Sequence, residues 1–201
     1  MLKPINTRKI ALGLVITSSF SLSSPVLADS KTTRHVGNSA AVVSGNITEA
    51  DVLSAQTAWG NALVKIARDY ESGGLEKAKT TASAVIDSAY GYQYGTVLFK
   101  PTLTTAPQTF RTTREGALAY FIGDNKLYPQ DSGFALKGWR SAEIRNVAIQ
   151  LHGNTALSMG NVLLTDKTGK VTTVDKTWGY VRDDKGALRI VLHHSSLPVK
   201  P

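Results

Sequence analysis

The sequence predicts an α+β fold, with N-terminal helices packed across one face of a curved antiparallel sheet. Helical periodicity is confined to the chain before Gly123, whereas apolar runs joined by short turns fill the chain after Trp139. The predicted order is helix, helix, strand, helix, then four strands, which segregates helices from strands instead of alternating them. With 201 residues, 42% apolar and 19% charged, the chain is long enough and apolar enough for one domain with a core.

The N-terminus reads as a targeting segment. Lys3, Arg8 and Lys9 precede the apolar centre Ala11-Leu12-Gly13-Leu14-Val15-Ile16, and Val26-Leu27-Ala28 offers small residues for cleavage. That three-part pattern predicts a secretory signal over residues 1–28 and a periplasmic or secreted mature protein. The apolar centre is too short for a comfortable membrane span, so no membrane association is expected after cleavage. Residues 29–47 are small and polar and read as a flexible leader that contains His35. The domain is expected over 48–201.

The formal net charge is +8, and loss of the signal removes three positive charges. The remaining basic residues are scattered, which excludes the concentrated footprint of a nucleic-acid binder. The chain has no cysteine, so disulfides, thiolate nucleophiles and cysteine-ligated zinc are excluded.

Thr48 is placed to cap a first helix, with Glu49 and Asp51 in its first turn, where negative charge suits the helix dipole. Its apolar stripe is Val52, Gln56, Trp59, Leu63, Ile66, Ala67 and Tyr70, and Gly73-Gly74 ends it. A second helix from about Leu75 to Tyr90 carries Leu75, Ala78, Ala82, Val85, Ile86 and Ala89 on one face. Thr96 to Lys100 reads as a strand, closed by Pro101. Thr112 and Glu115 have capping-box spacing and open a third helix to about Ile122. On that helix Ala117, Tyr120 and Phe121 share a stripe. Tyr120 therefore faces inward, either as a core tyrosine bonded to backbone or as a hydroxyl aimed into a pocket.

The later strands are expected from Ile144 to His152, Ala156 to Thr165, Lys170 to Val181 and Ala187 to His194. Asp166-Lys167-Thr168-Gly169 and Asp183-Asp184-Lys185-Gly186 supply turns between them. The last strand runs into His193-His194-Ser195-Ser196. Alternation puts His193 and Ser195 on one face, and His194 and Ser196 on the other with Leu188, Ile190 and Leu192. The two histidines therefore diverge and make a poor pair for one ion. The face with His193 offers an imidazole beside a hydroxyl, suited to proton transfer; the plainer reading is a strand leaving the core into water.

Lys100-Pro101-Thr102-Leu103-Thr104-Thr105, Phe110 to Phe121 and His193-His194-Ser195-Ser196-Leu197-Pro198 together resemble the iota-class carbonic anhydrases, over roughly Ala50 to Pro198. The resemblance implies an NTF2-like cone, reversible hydration of carbon dioxide to bicarbonate and a proton, and a homodimer. It implies an anion site built from Thr102, Tyr120, His193 and Ser195. It also implies chemistry without a metal or other cofactor, with a zinc or manganese ion as the alternative within the family. Catalytic zinc usually takes three protein ligands, and three are awkward to assemble from His35, His152 and a divergent pair. Phe121, Trp139 and Trp178 are expected to wall the pocket. A zinc ion lowers the pKa of bound water from about 15.7 to about 7, whereas an imidazole base contributes about 10²–10⁴-fold, so a slower enzyme than the zinc anhydrases is expected. The rival readings are a non-enzymatic small-ligand module on the same cone and an isomerase or cyclase using Asp87, Asp124 or Glu143.

Overall fold

A computed structural model of the chain describes residues 45–199. The predicted signal, His35 and the leader up to residue 44 lie outside the described residues. Helix α1 (Glu49–Ala89) is followed by strand β1 (Leu98–Lys100), helix α2 (Arg114–Ile122) and strands β2 (Trp139–His152), β3 (Thr155–Asp166), β4 (Val171–Arg182) and β5 (Leu188–Ser196). Short 3-10 turns at Tyr92–Tyr94 and Phe134–Leu136 complete the elements. The class is the α+β fold expected.

The first helix opens on a reciprocal cap. The Asp51 backbone N–H donates to Thr48 Oγ1 at 3.2 Å, and the Thr48 N–H donates to Asp51 Oδ2 at 2.9 Å. The two predicted helices are two limbs of α1, bent where Gly74 takes φ 71°. A side chain there would be strained, so the bend falls on glycine. Val52, Gln56, Trp59, Leu63, Ile66, Ala67, Ala78, Ala82 and Ile86 are buried. Tyr70, expected in the stripe, is exposed; Asp69 is buried in its place and accepts from Lys65 and Thr81. Ile47, assigned by sequence to the leader, also packs into the core, and its N–H donates to Gly153 O. At α2 the cap is Thr113 instead of Thr112: its Oγ1 accepts from the Gly116 N–H at 3.1 Å, and Glu115 accepts from Asn125.

The sheet order is β1-β5-β4-β3-β2. The four long strands form the expected antiparallel meander, and β1 joins its β5 edge in parallel, pairing Phe99 with His193. Besides a register shift that leaves Arg140 over at the start of β2, two extra residues bend the sheet. The β2–β3 register shifts between Asn146 and Ala148, leaving Val147 unpaired. Gly160 makes room there: a Cβ on it would sit 2.1 Å from Arg145 O. The β4–β5 register shifts where Gly179 pairs with Leu192 and Tyr180 with Ile190, leaving Val191 over. Such bulges increase local twist and re-aim side chains. The second one changes an expectation: Ile190 is buried on the same side as His193, not with His194, because Val191 resets the alternation.

The concave face carries Ala156, Ser158, Val162 and Leu164 of β3, and Val174, Lys176, Trp178 and Tyr180 of β4, against α1 and α2. Among the described residues, no helix is long and apolar enough to cross a membrane.

Candidate active site

Strand β5 sets the site. His193 and Ser195 are buried on its concave side, and His194 is exposed on the other. Lys100 ends β1 opposite His194, and Pro101 stops the ladder. The chain then turns Thr102 back over β5. Its Oγ1 donates to Ser195 Oγ at 2.9 Å, and Lys100 Nζ donates to Ser195 O at 3.2 Å.

Tyr120 approaches from α2, nearly fully buried. Its ring stands edge-on to Phe99 at 5.7 Å and stacks on Phe134 at 5.3 Å. The hydroxyl lies against Thr102 and the Leu103 backbone, yet meets hydrogen-bond geometry with no described residue. Burial pushes its phenol well above the ordinary tyrosine value, so Tyr120 is a neutral donor with an open partner position. Thr102, Tyr120 and Ser195 are thus brought together, from three elements, as three hydroxyls on one corner of the concave face.

His193 sits in the same aromatic cluster, with its ring stacked 4.4 Å from Phe99 and edge-on to Trp59 at 5.6 Å. Both its nitrogens are engaged. Nδ1 lies 2.8 Å from the Tyr90 hydroxyl, which accepts from Trp59 Nε1 at 3.0 Å. Nε2 lies 2.7 Å from Lys176 Nζ. Burial, then the nearby charges of Lys176 and His194, hold the imidazole well below the usual histidine value. Lys176 is itself buried, and desolvation lowers its ammonium to about 7. Its Nζ lies over the indoles of Trp59 and Trp178, at 4.7 and 5.5 Å.

Tyr90, Trp59 and Lys176 were not singled out from sequence as site residues. A signal for Lys176 existed, since it falls between Val174 and Trp178 on the inward positions of β4. Of the expected wall, Phe121 stacks on Phe99 and Trp178 lies 6.1 Å from His193, whereas Trp139 is a layer away, against Phe134. An open hollow of about 480 Å³ lies over the outer face of the sheet, where Val147, Met159, Thr177 and His194 line it with Lys176 and Ser195; Thr102, Tyr120 and His193 do not line it. Among the described residues, no three His, Asp or Glu side chains gather as a metal-ligand group.

Two buried hydroxyls and the half-buried Thr102 hydroxyl, beside a desolvated imidazole and amine, can orient a small polyoxygen anion and move one proton. The comparisons with known proteins give the family. The family model of the metal-independent carbonic anhydrases matches residues 50–197, and the chain belongs to that family. A metal-independent carbonic anhydrase of Nostoc sp. (strain PCC 7120 / SAG 25.82 / UTEX 2576) is 62% identical over 157 residues, 78% of this chain and 77% of that protein. The crystal structure of a cyanobacterial iota-carbonic anhydrase complexed with bicarbonate is similar at TM-score 0.78 and 60% identity, covering 81% of this chain and 99% of that one. A protein of the NTF2-like family from Streptomyces avermitilis aligns at TM-score 0.43 and 16% identity, covering 75% and 96%.

Proposed function

We propose that this protein hydrates carbon dioxide reversibly to bicarbonate and a proton without a metal cofactor, with Thr102, Tyr120, His193 and Ser195 as the working groups. The observation that carries this reading is the Thr102–Ser195 hydrogen bond with the Tyr120 hydroxyl beside it, which has no hydrogen-bond partner among the described residues. Thr102 gives its hydrogen to Ser195, so the Ser195 hydroxyl hydrogen is left for an incoming oxygen. Tyr120 offers a second donor. Fixed donors aimed where negative charge develops stabilise the transition state more than the apolar substrate. Carbon dioxide itself needs only an apolar approach, which Phe99 and Phe121 provide.

His193 supports the proton transfer. Its two nitrogens are held by Tyr90 and Lys176, so the imidazole passes a proton within a chain of groups instead of meeting bulk water. Stopped-flow hydration by the purified mature protein tests the reading. Activity above buffer, lost in His193→Ala, supports it; equal rates in the two proteins reject the assignment of His193.

The place of work and the assembly rest on other support. The N-terminal pattern of residues 1–28 supports a periplasmic or secreted enzyme. Exposed Val147, Leu151, Leu157 and Met159 on β2 and β3 support pairing of two copies through the outer face of the sheet. Light scattering on the purified protein tests the dimer.

A further inference from the structure

Lys176 is a buried charge-bearing group of the concave face that the hydroxyl chemistry leaves unexplained. A lysine amine buried to 3% exposure is costly unless it is neutral or paired, and among the described residues no carboxylate forms an ion pair with it. From β5 come His193, in contact, and His194, on the opposite face. From α1 come Trp59 and the Tyr90 hydroxyl that follows it. On β4, Trp178 flanks it, and Asp175 is turned away to Asn161. Lys100, at the end of β1, adds a positive charge near Ser195.

One hydrogen arrangement is favoured for each charge of Lys176. With a neutral amine, Tyr90 accepts from Trp59 and donates to Nδ1, and Nε2–H donates to the lone pair of Nζ. The Trp59, Tyr90 and imidazole donors then each have an acceptor, and the two amine hydrogens are left beside the indole faces. With an ammonium, Nζ donates to Nε2, and Nδ1–H donates to the Tyr90 oxygen, which frees the Tyr90 hydroxyl hydrogen. An ammonium thus fixes the Nδ1–H tautomer of His193, whereas a neutral amine admits the Nε2–H tautomer, which alone puts the Tyr90 hydrogen to use. The indole faces of Trp59 and Trp178 favour the charged form, and burial opposes it, which leaves the amine balanced near neutrality.

We propose that Lys176 is a positioning and proton-holding residue of the hydration reaction: the Lys176–His193 pair takes the proton released from water, the charge rests on the lysine, and the histidine stays neutral while changing tautomer. This rests on the carbonic anhydrase reading above. Water loses one proton and its oxygen bonds the carbon of carbon dioxide, giving bicarbonate. The pair gains that proton, and the amine becomes an ammonium. Return of the proton to buffer restores the amine. The β4–β5 register supports the assignment, since Lys176 is directly opposite Ser195, which puts the lysine beside the hydroxyl pair as well as the imidazole.

The test is nitrogen-15 NMR of the histidine-labelled protein from pH 5.5 to 9, beside the pH profile of hydration. The wild type is expected to carry Nε2–H on His193 above about pH 7 and Nδ1–H below it, with the same midpoint in kcat/KM. Lys176→Met is expected to lose both the tautomer change and that limb of the rate profile. Lys176→Arg, which stays charged, is expected to hold Nδ1–H throughout. A single His193 tautomer across the range in the wild type overturns the proposal whether or not any variant folds. An unchanged rate profile in folded Lys176→Met overturns it too. A tautomer change in a wild type that hydrates no faster than buffer instead overturns the carbonic anhydrase reading, and with it the catalytic half of this inference.

Discussion

Thr102 Oγ1 donates to Ser195 Oγ at 2.9 Å, joining the loop after β1 to the last strand. The bond spends the Thr102 hydrogen and directs the Ser195 hydrogen elsewhere, so the two hydroxyls act as one donor. Ser195→Ala removes that donor and leaves Thr102 without its acceptor. Loss of one preorganised donor costs about 10²–10³-fold in rate, and a fall of that order in stopped-flow hydration is expected. Thr102→Val is expected to fall by a similar factor. The double variant is expected to be little worse than either single one, because the groups work as a unit.

Tyr120→Phe separates function from stability. The hydroxyl is buried and has no hydrogen-bond partner among the described residues, and an unsatisfied buried polar group costs about 1–3 kcal/mol. Removing it leaves the ring stacked on Phe134 and is expected to hold or raise the melting temperature. Hydration is nevertheless expected to fall about 10²-fold, as for loss of one transition-state donor. Calorimetry and stopped-flow on the same preparation check both halves.

Lys176 makes stability depend on pH. Its native value is about 7 against 10.5 for an ordinary lysine. Between these values the unfolded chain holds a proton that the native chain does not, so stability rises with pH across that window, by up to about 1.4 kcal/mol per pH unit. Below about pH 7 both states are protonated and the contribution is flat. Buried Tyr90, Tyr120 and Tyr180 act in the opposite sense above pH 10, since their raised values keep them neutral in the native chain only. Urea unfolding of wild type and Lys176→Met at pH 7, 8 and 9 isolates the lysine: their difference is expected to change steadily in the wild type's favour as pH rises.

Arg111 anchors the loop that carries Thr102. Its guanidinium makes two bonds to Asp131, at 2.7 and 2.9 Å, with both side chains almost fully buried. Arg111→Met strands the Asp131 carboxylate, and removing one partner of a buried pair costs about 3–5 kcal/mol. A loss of that size in denaturant unfolding is expected, with Asp131→Asn milder because the amide oxygen still accepts.

The fold was legible where the pattern was local. Alternation in Lys170 to Val181 placed Val174, Trp178 and Tyr180 inside, and Gly73-Gly74 marked the bend in α1. The face shared by His193 and Ser195 was legible as well, since the two lie two residues apart beyond any bulge. The extra residue Val191 was not, because a bulge depends on the partner strand's register and leaves no mark in its own sequence. That is why Ile190 was assigned to the wrong side. The cap of α2 moved one residue because adjacent threonines offer the same chemistry. Tyr90 and Lys176 were passed over for a different reason: each looks like an ordinary helix end or strand residue until the sheet brings His193 between them.

The most direct measurement is stopped-flow hydration of carbon dioxide by the mature protein before and after chelation, with elemental analysis of the same samples. The account predicts a rate above buffer that chelation leaves unchanged in protein shown to hold no stoichiometric metal. A rate equal to buffer, or one that disappears on chelation and returns with added zinc or manganese, contradicts it.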